Sequence, residues 1–101
     1  MKDLMLSRSL FPQLRDNDAR YRRDLFIIIS DILSLAIGGM RKTELMCKAG
    51  LSSEQLHKYL ALLFRSELLK TSREKRRIVY RTTEKGKNFL QTFEELAKLL
   101  D

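Results

Sequence analysis

Between Leu25 and Ile37 the chain is apolar on nearly every side of the helix it would form. Leu25, Ile28, Ile29, Ile32 and Ala36 follow the i, i+3, i+4, i+7, i+11 spacing of one helical face. Phe26, Ile27, Leu33, Leu35 and Ile37 place further apolar side chains on the other faces. A helix of this kind must be covered almost all round. A chain of 101 residues has little protein with which to do that alone, so a second subunit is the expected supplier. The helix is expected over residues 21–37. Gly38-Gly39 ends it, because glycine freely takes the left-handed conformation that satisfies the last carbonyls.

The remaining elements follow from local signals. Residues 1–20 are weakly patterned and broken by Pro12, with an Asp16-Asn17-Asp18 cluster that reads as a turn before a helix. They are expected to form an N-terminal arm, with Leu4, Leu6, Leu10, Phe11 and Leu14 as its apolar residues. A short helix over residues 42–49 turns Leu45, Met46 and Ala49 inward and stops at Gly50. Ser52 and Gln55 then have capping-box spacing, each side chain reaching the other's amide. They open a third helix over residues 53–66, with Leu56, Leu60, Leu63 and Phe64 inward and Tyr59 at the margin. Two such helices joined by a tight glycine-containing turn form a helix-turn-helix.

Two strands follow, over residues 68–72 and 77–82, the second alternating Ile78, Tyr80 and Thr82 against Val79 and Arg81. The charged tip Arg73-Glu74-Lys75-Arg76 lacks the Asn-Gly or Asp-Gly of a two-residue hairpin turn, which leaves its turn type open. A fourth helix, N-capped by Thr83, runs to about residue 100. Helix, helix-turn-helix, hairpin, helix is the order of a winged helix. The expected fold is mainly α with a small β-hairpin, a winged helix-turn-helix with a C-terminal dimerisation helix. It divides into an arm (1–20), a DNA-binding domain (21–83) and the last helix (84–101).

Charge sharpens the functional expectation. The chain carries 20 Lys and Arg against 13 Asp and Glu, a net +7, which favours polyanionic partners. The excess is not spread evenly. Residues 68–82 hold Lys70, Arg73, Lys75, Arg76, Arg77 and Arg81 against Glu74 alone, a net +5, and residues 40–52 hold Arg41, Lys42 and Lys48 against Glu44, a net +2. A ribbon tipped with arginine suits a phosphate backbone or a minor groove. Residues 53–67, the third helix with its exit, are neutral overall. Its outward Ser53, His57 and Lys58 suit base edges in a major groove, and Ala61 suits a thymine methyl. The expected DNA-binding residues are Arg41, Lys42, Ser53, His57, Lys58, Arg73, Lys75, Arg76, Arg77 and Arg81.

The last helix carries Phe89, Phe93, Leu96 and Leu100 on one stripe and Leu90, Phe93, Ala97 and Leu100 on its neighbour. The combined stripe is wide enough to face its own domain and another copy, so Phe89, Leu90, Phe93, Leu96, Ala97 and Leu100 are the expected dimer surface. Catalysis, cofactors and metals are not expected. The single His57 and single Cys47 cannot build a zinc site, and Cys47 reads as a small core or boundary residue. No glycine-rich phosphate loop opens a helix after a strand. A lone cysteine, no leader pattern at the start and no apolar run of about 20 residues point to a reducing, cytoplasmic setting without a membrane partner.

Four stretches also carry a family resemblance. Lys42-Thr43-Glu44-Leu45-Met46, Ala49-Gly50-Leu51-Ser52, Tyr59-Leu60-Ala61-Leu62-Leu63 and Tyr80-Arg81-Thr82-Thr83-Glu84-Lys85-Gly86 resemble the small archaeal winged-helix DNA-binding proteins. These are ten-kilodalton chromatin-type proteins and predicted transcriptional regulators similar to the wider MarR-like superfamily. The resemblance covers roughly residues 21–100. It implies a homodimer held by the C-terminal helix, the third helix as recognition helix, the hairpin as wing, and a nucleoid association if the chain is archaeal. Two departures stand out. Ser66-Glu67 replaces a glycine common before the first wing strand, and the last helix is shorter than in the chromatin-type relatives. A protein-interaction module without DNA binding is the alternative. RNA binding is a weaker third, since the strands offer only Tyr80 for stacking.

Overall fold

The computed structural model describes residues 19–100, with side chains from residue 25 onward. Most of the arm expected at residues 1–20 therefore lies outside the described residues. Four helices and one hairpin follow in order: α1 (Ala19–Leu35), α2 (Lys42–Ala49), α3 (Ser53–Arg65), β1 (Leu69–Glu74), β2 (Arg77–Thr82) and α4 (Glu84–Leu100). The expected architecture holds, with local differences that have physical causes.

α1 is the centre. Leu25, Ile29, Ile32, Leu33 and Ala36 are buried in a core completed by Leu45, Leu56, Leu60, Leu63, Leu68, Leu69 and Leu90. Each large side chain so buried contributes about 1.5–3 kcal/mol. Leu33 thus joins the core although it lies off the expected face, while Ile27 and Ile37 remain exposed. The helix stops two residues earlier than its apolar pattern, because strand β2 captures its last carbonyls. Thr82 Oγ1 donates to the Leu33 carbonyl at 2.6 Å, and the Ala36 carbonyl accepts from the amides of Gly39 and Thr82, each at 3.1 Å.

The helix-turn-helix is built as its capping residues dictate. α2 ends at Gly50, left-handed at φ 68°, with the Leu51 amide donating to Met46 O and the Gly50 amide to Cys47 O. This is a Schellman stop. Ser52 then caps α3: the Gln55 amide donates to Ser52 Oγ at 3.1 Å and the Ser52 amide to Gln55 Oε1 at 3.0 Å. α3 exits through a second Schellman pattern, Leu68 N to Leu63 O and Glu67 N to Phe64 O. Here Glu67, not glycine, takes the left-handed position at φ 61°, so the departure at Ser66-Glu67 changes the residue and not the geometry.

The hairpin is longer at its tip than the sequence suggests. β1 begins at Leu69 and reaches Glu74, which pairs directly with Arg77. Lys75 and Arg76 alone form the loop, both at positive φ (48° and 68°), as the twist of a two-residue hairpin requires. A further pairing has no counterpart in the sequence pattern. Met40 bridges the outer edge of β2, exchanging hydrogen bonds with Tyr80 at 3.0 and 2.8 Å. Gly39 permits this approach at φ 91°, where a Cβ would sit 2.8 Å from Val79 Cγ1.

α4 is anchored at its start. Thr83 Oγ1 accepts from the Gly86 amide at 3.0 Å and donates to the Glu67 carbonyl at 2.7 Å. Gly86 is buried here because any Cβ would collide with the Leu68 carbonyl oxygen. Two side chains differ from expectation. Cys47 is exposed on α2. Phe64, expected inward, is 38% exposed and packs on Tyr80 with ring centroids 5.8 Å apart.

Candidate nucleic-acid interface

The hairpin and the start of α2 share one charged crevice. Gly39, Met40, Arg41, Glu44, Glu74, Lys75, Arg77 and Val79 line about 510 Å³ between them. The Met40–Tyr80 bridge brings these elements together, because it fixes the chain just before α2 to the middle of β2. Residues 41 and 77, far apart in sequence, thereby become neighbours across a basic cleft.

Not every cation there is equally available. Arg81 forms an ion pair with Glu74 across the hairpin, and its guanidinium lies against the backbone of Gly39. Arg81, one of the expected DNA-binding residues, is thus paired within the ribbon and partly exposed, and it offsets the charge of the hairpin's one carboxylate. Arg41 is engaged more loosely. Its amide and its Nε both donate to Glu44 Oε1, at 3.2 and 3.3 Å, fastening the first turn of α2 at the surface. The amide of Arg41 first, and its guanidinium second, hold the Glu44 carboxyl below its ordinary value of 4.5. Arg73, Lys75, Arg76 and Arg77 are exposed, and no ion pair forms at them among the described residues. Lys42 is exposed on the first turn of α2.

α3 presents a separate surface. Ser53, His57, Lys58 and Ala61 are all exposed, opposite the buried Leu56, Leu60 and Leu63. Ser53, His57 and Ala61 recur every four residues and form one outward stripe along the helix. The Phe64–Tyr80 contact ties the far end of α3 to the hairpin. That link has no signature in the sequence, since Phe64 fits the inward stripe by spacing alone.

A second, apolar feature lies between α1 and α4. Phe26, Ile27, Phe89, Thr92, Phe93, Leu96, Ala97 and Leu100 line a groove of about 560 Å³. Phe89 is flanked by Phe26 and Phe93, each centroid 6.4 Å away. Of the residues expected at a dimer surface, Leu90 instead belongs to the chain's own core. Leu96 and Leu100 are 55% and 88% exposed. Among the described residues no helix is long and apolar enough to cross a membrane.

A buried core drawn from all four helices, a helix-turn-helix with one exposed stripe, and a basic ribbon zipped onto its edge define a winged helix-turn-helix. The chain belongs to the winged helix-turn-helix family, whose model matches residues 22–101. In structure it is similar to Sso10a-2, a DNA-binding protein from Sulfolobus solfataricus, with 31% identity and a TM-score of 0.63 over 73% of this chain and 78% of that one. A predicted DNA-binding transcriptional regulator from E. coli (23% identity, TM-score 0.54, 79% of this chain and 93% of that one) shares the fold. So does NolR from Sinorhizobium fredii (18% identity, TM-score 0.57, 86% and 95%). No curated protein matches the sequence.

Proposed function

We propose that this chain binds double-stranded DNA as a transcriptional regulator or chromatin-associated protein, acting by binding and not by catalysis. One observation carries the reading: four exposed cations, Arg73, Lys75, Arg76 and Arg77, crowd a hairpin whose single carboxylate is already paired with Arg81. Such a cluster gains most from a polyphosphate, because each phosphate it neutralises releases counterions. In this reading the hairpin tip lies on the backbone or in the minor groove, and Arg41 and Lys42 hold a phosphate near the start of α2. Ser53, His57 and Lys58 face the major groove from α3. Affinity then comes from the hairpin, and sequence preference from α3. The similarity to a DNA-binding protein from Sulfolobus solfataricus supports the same conclusion.

The test is a duplex titration at several salt concentrations. R76A/R77A is expected to weaken binding and to flatten the log-log salt slope by about 0.9 for each phosphate that is no longer neutralised. An unchanged slope would remove the hairpin from the mechanism.

The working unit in this reading is a homodimer joined through the α1–α4 groove. Phe89, Phe93, Leu96, Ala97 and Leu100 form the patch together with Phe26 and Ile27. The same uncovered groove favours one alternative, a protein-interaction module that does not bind DNA. A stable heterologous partner together with no duplex shift at low salt would establish that instead.

A further inference from the structure

Within residues 73–78 every side chain is charged except that of Ile78. It is 56% exposed, whereas Val79 beside it is buried and does the packing. The hairpin register explains where it points. Glu74 and Arg77 close the two-residue loop, so the next pair, Arg73 and Ile78, is the non-hydrogen-bonded kind. That geometry brings facing side chains nearest to one another. Ile78 is therefore held beside Arg73, one pair below a tip formed by Lys75 and Arg76. It shares a strand face with Tyr80, which packs on the end of α3.

A stiff apolar side chain set opposite Arg73 and just below a cationic tip suits a surface that is anionic outside and apolar within. Stacked base pairs between two phosphate rails answer that description. An anionic lipid layer does too, but a single isoleucine buries little apolar area in it, whereas one side chain is enough to part a base step. Resting on the DNA-binding reading above, we propose that Ile78 is a wedge. It enters a base step from the minor groove while Arg73 beside it and the tip cations Lys75 and Arg76 hold the flanking phosphates, and it kinks the duplex. Apolar wedges of this size unstack a step and bend DNA by roughly 20–90°, most cheaply at pyrimidine–purine steps. β-Branching restricts χ1 of Ile78, so little side-chain freedom is lost on insertion.

The experiment uses the full chain and a duplex of about 25 bp, a length over which bending is readily driven. The duplex has one central TA step, a fluorophore pair on its ends and 2-aminopurine beside the step. Wild type is expected to draw the ends together and raise the 2-aminopurine signal. I78T keeps the β-branch and the strand; it should bind with the same salt slope but lose most of both signals, while I78V keeps them. Equal bending by I78T, or wild-type binding with no bend and no unstacking, overturns the wedge and leaves DNA binding standing. Failure of the wild type to bind the duplex at any salt overturns both readings. Association with phosphatidylserine vesicles, lost in I78T, would then assign the residue to a membrane surface.

Discussion

Among the described residues, the hairpin tip and the α1–α4 groove both stand exposed, and their chemistry is opposite. At the tip, Arg73, Lys75, Arg76 and Arg77 stand exposed around a turn that the fold tolerates rather than needs. In the groove, Phe89 and Phe93 are half-covered by their own chain, Leu96 somewhat less, and Leu100 hardly at all. Water solvates the first region well and the second badly. The tip can therefore wait for a partner without penalty, whereas the groove destabilises the lone chain until something covers it. Exposure alone does not identify a partner; what the exposed atoms lack does. The tip lacks anions and the groove lacks apolar surface.

This contrast can be broken experimentally. The largest effect is expected from F93E, which places a charge in the middle of the groove. The affinity of the proposed homodimer should fall by about 2 kcal/mol or more, roughly 30-fold, as when a central interface residue is removed. Sedimentation equilibrium would measure it, and the monomer should keep its helical circular dichroism. A tight F93E dimer would place the subunit interface elsewhere. K75N/R76G is the next largest and the sharper test, because its two effects oppose. Relieving two left-handed non-glycine residues should stabilise the fold by about 1–2 kcal/mol, seen as a higher melting temperature. The same change should weaken duplex binding. A variant that gains stability and keeps full affinity would mean that the tip cations do not touch phosphate.

The smallest effect concerns acid. Glu44 titrates below 4.5 in the folded chain because the Arg41 amide and guanidinium favour its charged form, with Lys48 adding a little. A lowered folded value means stability that is present above the unfolded value and lost as pH falls through the folded one. Denaturation midpoints of wild type and E44Q should therefore differ at neutral pH and converge as the pH drops below 4.5. A gap that stays constant would show that the charge of Glu44 contributes nothing.

How far the sequence reveals this structure depends on how local each interaction is. The Ser52–Gln55 box, the Gly50 stop and the Thr83 cap are all set by residues within a few positions of one another, and each can be read from spacing. The groove is legible for a related reason: a helix apolar on every face cannot hide all of itself. Long-range pairings leave no such trace. Nothing in Met40 announces its bridge to Tyr80, and nothing in Phe64 distinguishes a core position from a perch on Tyr80. Arg81 is one more cation until the fold sets Glu74 against it. The turn at Lys75-Arg76 is hidden because its residues are poor ones for that geometry. The demand there comes from the pairing of Glu74 with Arg77, not from the turn itself.

The placement of Tyr80, facing Thr71 in the hairpin register and hydrogen-bonded to Met40 on its other edge, gives the ribbon a fixed mount and a free end. Mechanically it is a cantilever: load applied at the tip is carried into α1 and α2 at the root, while the side chains of residues 73 and 75–78 stay exposed. Retargeting by exchange of residues 73–78 should therefore be possible without redesigning the body that carries them.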